Sequence, residues 1–409
     1  MTELAASVPK FRNRIQSIDI LRGIVMVIMA LDHVRDFFFK PEGQSGAASA
    51  VALDPTNPAT TTPLLFFTRW ITHFCAPTFI FLAGTSIFLM EQRKSKKELS
   101  WFLIKRGLWL VFVEVIIITF GWRFDPLYHL FFLQVIWAIG VSMIIVGLLV
   151  NFPWQVLFVL GLLIFFGHNL MDYPDVSAGL KGTIFADFAY FSNFSFVSLG
   201  SGRGAIIIYA FVPWTGLMLL GYCLGQLFTK RFDPAKRKKI LLLLGGGLIL
   251  LFIVLRYIND YGDPFRWESQ TRGNFYTFLS FLNVNKYPPS LDFLSVTIGV
   301  SMIALALLEG IQNKITGIFS VYGRVPMFYY ILHFYIIHLI VVIVFFAQGF
   351  SFSQITGPGN LFYFRPESFG FGLAGVYMVW LIVVLVLYPL CKKYDRYKTT
   401  HDKWWLSYL

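Results

Sequence analysis

The amino-acid sequence predicts an all-α polytopic membrane protein, a bundle of about ten transmembrane helices with its N- and C-termini on the cytoplasmic side. Three observations carry this. Over 409 residues the chain is 56% hydrophobic and only 14% charged, with mean hydropathy +0.65, a balance that no water-facing surface accommodates at this size. Its apolar runs are continuous rather than alternating. In lipid every backbone polar group needs an internal partner, so such runs form helices and not barrel strands. The third observation is the placement of charge along the chain.

Apolar segments of spanning length lie at 17–38, 64–91, 102–121, 127–150, 153–171, 205–228, 240–257, 290–309, 317–346 and 371–391. With the N-terminus inside, the inner segments 1–16, 92–106, 229–239, 309–316 and 392–409 hold 21 Lys and Arg. The outer segments 39–63, 121–127, 172–204, 258–289 and 347–370 are mostly longer and hold 8. This bias sets the orientation. The ten segments make a single transmembrane domain over 1–409, with no soluble domain, low-complexity tract or strong internal repeat.

The net charge of +12 falls in short clusters between apolar segments, so it marks topology and not nucleic-acid binding. The lipid bilayer is the partner it implies. Cys75, Cys223 and Cys391 are an odd, scattered set that suits small packed hydrophobes and neither a disulfide framework nor a metal motif. Met1–Asn13 lacks an apolar h-region and a small-residue cleavage pattern, so no cleaved signal peptide is expected. Phe-rich lipid-facing surfaces admit a homodimer. The long outer loops suggest a vestibule, and Tyr261-Gly262-Asp263-Pro264-Phe265-Arg266-Trp267 suits either a sugar-like ligand or an interfacial aromatic belt.

Ionisable residues at the centre of a spanning helix cost roughly 2.5–3.5 kcal/mol each on insertion scales, so several in one bundle call for pairing or function. The first segment is the richest. Asp19 and Arg22 at its inner end are three apart. At its outer end Asp32, His33, Arg35 and Asp36 place two carboxylates beside a histidine, an arrangement that fixes a tautomer and raises basicity. His33 is therefore the candidate general base, with Asp32 or Asp36 orienting it. Arg69, Trp70 and His73 occupy the outer third of the second segment, at about the depth of His33. Lys286, Tyr287 and Ser290 face the outer vestibule at the start of the eighth.

His333 and His338 are five apart and do not share a tight metal-binding face. No metal is expected. Glu114, Gln134, Asp292 and Arg324 suit structural hydrogen-bond partners. H-E-x-x-H, C-x-x-C, G-x-S-x-G and Walker A patterns are absent, which removes support for metalloprotease, serine hydrolase and NTPase readings. On the inner side Arg93, Lys94, Lys96, Lys97, Lys105 and Arg106 form a basic patch near Arg22, suited to cofactor phosphates, anionic headgroups or topology alike.

Ser17-Ile18-Asp19-Ile20-Leu21-Arg22-Gly23, Phe79-Ile80-Phe81-Leu82-Ala83-Gly84-Thr85-Ser86-Ile87, and Gly323-Arg324-Val325-Pro326 with His333 resemble the heparan-alpha-glucosaminide N-acetyltransferase family, including its bacterial members. The first motif is shared with the wider transmembrane acyltransferase group. The resemblance implies a transmembrane acetyltransferase of a bacterial cytoplasmic (inner) membrane, using acetyl-CoA from the cytoplasm and a saccharide or amino-sugar acceptor on the far side. Carried over residue by residue, Asp19, Arg22 and Gly23 match the first-helix motif, and His333 matches a late-helix histidine. The family's lysosomal member has a histidine in the loop after the first helix and an aspartate at the place of His73. Segment 39–63 holds no histidine, so His33 is assigned from the residues themselves.

The expected chemistry is N- or O-acyl transfer in which His33 deprotonates the acceptor and Arg35, Arg69 or His73 stabilises the oxyanion. Trp70, Lys286, Tyr287 and His333 complete the acceptor site, while Asp19, Arg22, Lys105 and Arg106 attend the CoA. The rival class is a proton-coupled transporter using Asp19, Asp32, His33, Glu114 and Asp292, for which the inverted repeat of such folds is missing.

Overall fold

The computed structural model describes residues 15–40, 54–229, 231–355, 361–366 and 368–408. The Met1–Asn13 leader reading lies outside these residues. Numbering the longer elements in chain order, α1 spans Gln16–Phe38. Among the described residues seven helices are long and apolar enough to cross a membrane. They are α2 (Pro63–Glu91), α5 (Trp154–Asp172), α6 (Phe211–Phe228), α7 (Pro234–Ile258), α9 (Leu291–Leu308), α11 (Pro326–Ala347) and α12 (Leu373–Thr400). The protein is an integral membrane protein and nearly all-α.

The three other predicted segments differ for physical reasons. α1 is 23 residues long, about 34 Å at 1.5 Å per residue, yet Asp19, Arg22, Asp32, Arg35 and Asp36 lower its hydropathy. α3 (Lys96–Phe112) begins six residues before the predicted segment because Ser95 and Glu98 close a capping box. It then continues through a π-helical stretch, Val113–Ile118, into Thr119–Arg123. α4 (Val135–Leu149) has 15 residues, because Leu130–Leu133 ahead of it is a strand, β1.

Two further departures concern α10 and the sheet. The predicted segment 317–346 is two helices, α10 (Lys314–Arg324) and α11, broken at Val325, where φ is −127° and ψ 48°. Pro326 is the cause: it lacks the N–H an unbroken helix needs and is suited instead to the first turn of the next. β1 is parallel to β3 (Arg203–Ile207), which pairs antiparallel with β2 (Ser195–Gly200), giving the order β1-β3-β2. A run of four apolar residues after Pro126 is too short for a helix, and the sheet satisfies its backbone instead.

Small residues hold the bundle together, as expected where lipid offers no hydrophobic drive between helices. A Cβ on Gly23 would overlap the Phe319 carbonyl, and one on Gly323 the Asp19 carbonyl, so α1 and α10 cross backbone to backbone. Gly84 with Gly221 brings α2 against α6, Gly107 with Gly140 brings α3 against α4, and Gly245 with Gly299 brings α7 against α9 in the same reciprocal way. α1 is thereby fixed between α2, α10, α11 and α12.

At the end of the bundle that carries Phe38, the connections form a structured cap. Arg256 at the end of α7 donates to the carbonyls of Phe265, Ser280, Phe281 and Asn283, each at 3.0 Å, and so gathers residues 259–290. α8 (Asn274–Leu282) lies within this stretch. The chain before α12 pairs with the end of α1, Phe371 N donating to Phe38 O at 2.7 Å and Lys40 N to Phe371 O at 2.9 Å.

Candidate functional site

Beneath this cap lies a cavity of about 720 Å³, walled by residues of α1, α2, β1, the segment before α6 and residues 263–287. The second helix narrows to a 3₁₀ turn at Ile71–Phe74, ahead of Pro77. Pro77 cannot donate to the His73 carbonyl, which breaks the regular ladder there. Arg69, Thr72 and His73 are thereby presented to the cavity together.

Asp32, His33, Arg35, Asp36, Arg69, His73, Lys286 and Tyr287, predicted from distant stretches of sequence, all line this one cavity. Trp70 stands behind the wall, its Nε1 donating to the Leu282 carbonyl at 3.1 Å. The carboxylates engage arginines. Arg69 Nη1 donates to Asp32 Oδ2 at 2.5 Å, and Arg35 Nη2 lies 2.9 Å from Asp32 Oδ1 and donates to Asp36 Oδ1 at 2.5 Å.

His33 is oriented from another direction. Its Nδ1 lies 2.6 Å from Nε2 of His333, and His333 Nδ1 lies 2.5 Å from the Tyr330 carbonyl oxygen. A carbonyl can only accept, so His333 carries its proton on Nδ1 and, in the neutral ring, accepts at Nε2. His33 must then donate from Nδ1. The hydrogen-bond pattern thus assigns an unprotonated Nε2 to His33, the tautomer a general base requires. Trp122 meets the His33 ring edge-on at 5.5 Å and Phe334 packs at 4.4 Å, fixing its plane.

Among the described residues four buried polar atoms of the wall have no hydrogen-bond partner, Asp32 Oδ1 (in ion-pair contact with Arg35), Arg35 Nη1, His73 Nδ1 and Trp122 Nε1. Lys286 is 7% exposed, its Nζ lies 5.2 Å from the Tyr287 ring centroid and 5.9 Å from that of Tyr209, and among the described residues no carboxylate is in ion-pair contact with it. Burial raises the Tyr287 phenol, but the Lys286 ammonium and the Arg69 guanidinium outweigh it and hold the phenol below its ordinary range. Arg365, which also lines the cavity and donates to the Phe39 carbonyl at 3.0 Å, is lowered by burial to about 10.

The residues predicted at the other end are not gathered in this way. Arg22 Nη2 donates to Ser86 Oγ at 3.1 Å, Nη1 donates to the Gly323 carbonyl at 3.4 Å and Asp19 lies 3.7 Å away, so the pair braces α1 against α2 and α10. Lys105 is exposed, its Nζ 5.2 Å from the Trp101 ring. Neither Lys105 nor Arg106 lines a cavity described here. Of the four residues assigned a structural role, Glu114 Oε2 accepts from Trp137 N at 3.1 Å in the first turn of α4, and Arg324 pairs with Asp395 at 2.6 Å. His338 donates from Nδ1 to the Gly121 carbonyl at 2.9 Å and stacks on Phe124.

Sequence reasoning missed Tyr330, Trp122, Tyr209 and Arg365 as parts of the site. Tyr330 sits three residues before His333, one helical turn, and that spacing was the available signal.

The catalytic region of the heparan-alpha-glucosaminide N-acetyltransferase family matches residues 50–254, half of the chain. The chain belongs to this family. Membership in this acetyltransferase family makes it a membrane protein of transferase lineage. The match takes in Arg69, Trp70 and His73, whereas His33, Lys286, Tyr287 and His333 lie on either side of it. No curated protein matches the chain.

Proposed function

We propose that this member of the heparan-alpha-glucosaminide N-acetyltransferase family moves an acetyl group from cytoplasmic acetyl-CoA to a saccharide or amino-sugar acceptor on the opposite side of a bacterial inner membrane. Ten transmembrane segments, the seven apolar helices with α1, α3 and α4, form one domain with both termini cytoplasmic, as the excess of Lys and Arg at that end supports. The observation that carries the chemistry is the Tyr330–His333–His33 relay, which leaves Nε2 of His33 free to accept a proton at the cavity wall.

His33 Nε2 takes the proton of the acceptor amine or hydroxyl as its nitrogen or oxygen attacks the thioester carbonyl. The new C–N or C–O bond forms and the carbonyl electrons move onto oxygen, where Arg35 Nη1, Arg69 or His73 stabilises the charge. Collapse breaks the C–S bond, and the thiolate leaves with the proton that His33 returns. Asp32 and Asp36 hold the two arginines in place. Lys286, Tyr287 and Trp70 belong to the acceptor side, where the Lys286 ammonium favours an acceptor with a negative group nearby.

Purified protein incubated with radiolabelled acetyl-CoA and a panel of amino sugars tests the proposal. Release of CoA with label on an acceptor is expected. Binding of neither donor nor acceptor, with proton-coupled solute flux in vesicles, would replace the reading by transport.

A further inference from the structure

Acetylation of a hydroxyl and of an amine differ in the number of protons the site must handle. A hydroxyl loses one proton, which His33 takes and returns to the departing thiolate. An aliphatic amine is largely an ammonium in neutral water, so it loses two, one before its lone pair can attack and one as the tetrahedral adduct forms. His33 accounts for the second. The first needs another base in the same cavity.

The carboxylates of the wall are already engaged. Asp32 is shared by Arg69 and Arg35, and Asp36 accepts from Arg35. Asp54 Oδ1 accepts from Thr56 N at 2.9 Å and Thr56 Oγ1 at 2.7 Å. Asp263 Oδ2 accepts from Asn285 N at 2.8 Å and Ser290 Oγ at 2.7 Å, and its other oxygen lies 4.0 Å from Arg256 Nη1. Lys286 is thus buried in a wall whose anions face other partners. A buried ammonium needs an opposing charge, and the phenol of Tyr287 is placed to supply it.

Tyr287 lines the cavity and is only partly buried. Its ring centroid lies 5.2 Å from Lys286 Nζ, and the Arg69 guanidinium of α2 donates to its hydroxyl oxygen. Tyr209, in the segment before α6, meets the ring edge-on at 5.3 Å and donates to the same oxygen, and Phe194 packs on the ring at 5.2 Å. Of the facing charges, Lys286 and Arg69 favour the phenolate and Asp32 of α1 opposes it. His33 lines the same cavity.

We propose that Tyr287 is a second base of this site and the acceptor an amine: the phenolate takes one proton from the bound ammonium, and the free amine attacks the thioester while His33 takes the next. An O–H bond forms as one N–H bond breaks, and the electron pair left on nitrogen makes the C–N bond. A phenolate–ammonium pair thereby becomes a neutral pair, which a low-dielectric site favours. His33 returns its proton to the thiolate, and Tyr287 releases the other to solvent after the product leaves. Ammonium and acetyl thioester thus give amide, thiol and one proton. This rests on the acetyl-transfer reading above and selects nitrogen over oxygen as the acceptor atom.

Transfer of radiolabelled acetyl by the purified full chain is measured with two nucleophiles, an amino sugar and the corresponding aminooxy sugar, whose nitrogen is unprotonated in neutral water. Tyr287→Phe, its fold checked by a monodisperse elution profile, should lose about a hundredfold in kcat with the amino sugar and stay within about threefold of wild type with the aminooxy sugar, since a positioned base is missing only for the first. The loss should shrink as rising pH supplies free amine. A second measurement reads the ionisation without turnover. The near-ultraviolet tyrosinate absorbance of wild type minus Tyr287→Phe should appear below the value of about 10 of an ordinary tyrosine, and Lys286→Met should move it up. Equal losses with both nucleophiles, a wild-type rate with the amino sugar, or a Tyr287 ionisation at or above the ordinary value overturns the assignment while leaving the acetyl-transfer reading standing. No transfer by the wild-type protein to either nucleophile removes both.

Discussion

His33 and His333 lie 300 residues apart in the chain, and their rings meet through Nδ1 and Nε2 at 2.6 Å inside the bundle. The contact brings α1 and α11 together at the cavity wall and sets the tautomer of the proposed base. His333 acts through His33 and is a positioning residue. His333→Ala should lower kcat by roughly a hundredfold, the lower end of what a general base contributes, with little change in KM for acetyl-CoA. It should also move the acid limb of the kcat profile, because the Nδ1 partner of His33 is gone. A purely structural role would lower the amount of folded protein and leave the pH profile of the remainder unchanged.

The Asp32 carboxylate is shared by Arg69 and Arg35. Removing one partner of a buried pair leaves the other charge uncompensated and costs about 3–5 kcal/mol. Asp32→Asn should therefore lower the thermal midpoint in detergent markedly, and Asp32→Asn/Arg69→Gln should recover part of the loss. Equal midpoints for the single and double variants would show that the pair is not coupled.

Gly23 and Gly323 each touch the other helix's backbone where a Cβ would collide with a carbonyl oxygen. Gly323→Ala should destabilise by about 1–3 kcal/mol or more, as overpacking does. Gly246→Ala, where nothing lies within 4 Å, is the control and should fold as the wild type. The check is the yield of monodisperse protein and its thermal midpoint.

Much of this was legible in the sequence, in proportion to how local the signal is. The apolar helices followed from continuous hydrophobic runs, and the concentration of charge on α1 singled out a helix that lines the cavity. Arg69, His73, Lys286 and Tyr287 were found as polar residues near the predicted outer ends of segments, and the four line one cavity. The partner of His33 was not legible. Adjacent carboxylates suggested Asp32 or Asp36, but helical geometry turns these toward Arg69 and Arg35, and a contact across 300 residues leaves no trace in spacing. The sheet escaped notice because β1 is four residues long and its apolar run merges with that of α4. The break at Pro326 had a visible cause, but hydropathy continues smoothly across it.

Lys286 is buried in the cavity, and among the described residues no carboxylate pairs with it. Lys286→Met should raise the acceptor KM about tenfold or more while the acetyl-CoA KM stays within about twofold, the scale of a lost charge-assisted hydrogen bond. Steady-state kinetics with each substrate varied separates the two, and a rise in the donor KM alone would place Lys286 on the wrong substrate.

Orientation is open to direct measurement because Cys75, Cys223 and Cys391 are buried. Cysteines introduced at Lys94 and at Phe265, both exposed at opposite ends, should react with a membrane-impermeant maleimide from opposite sides of intact cells, Phe265→Cys from outside. The reverse pattern would invert the topology and with it the donor and acceptor sides.

The central claim is that Nε2 of His33 takes the acceptor proton. Its most direct test is turnover of radiolabelled acetyl-CoA by His33→Ala against wild type, with both proteins shown to be folded and to bind CoA equally. The account predicts that acetyl transfer is lost while CoA binding persists. Transfer by His33→Ala at the wild-type rate would contradict it.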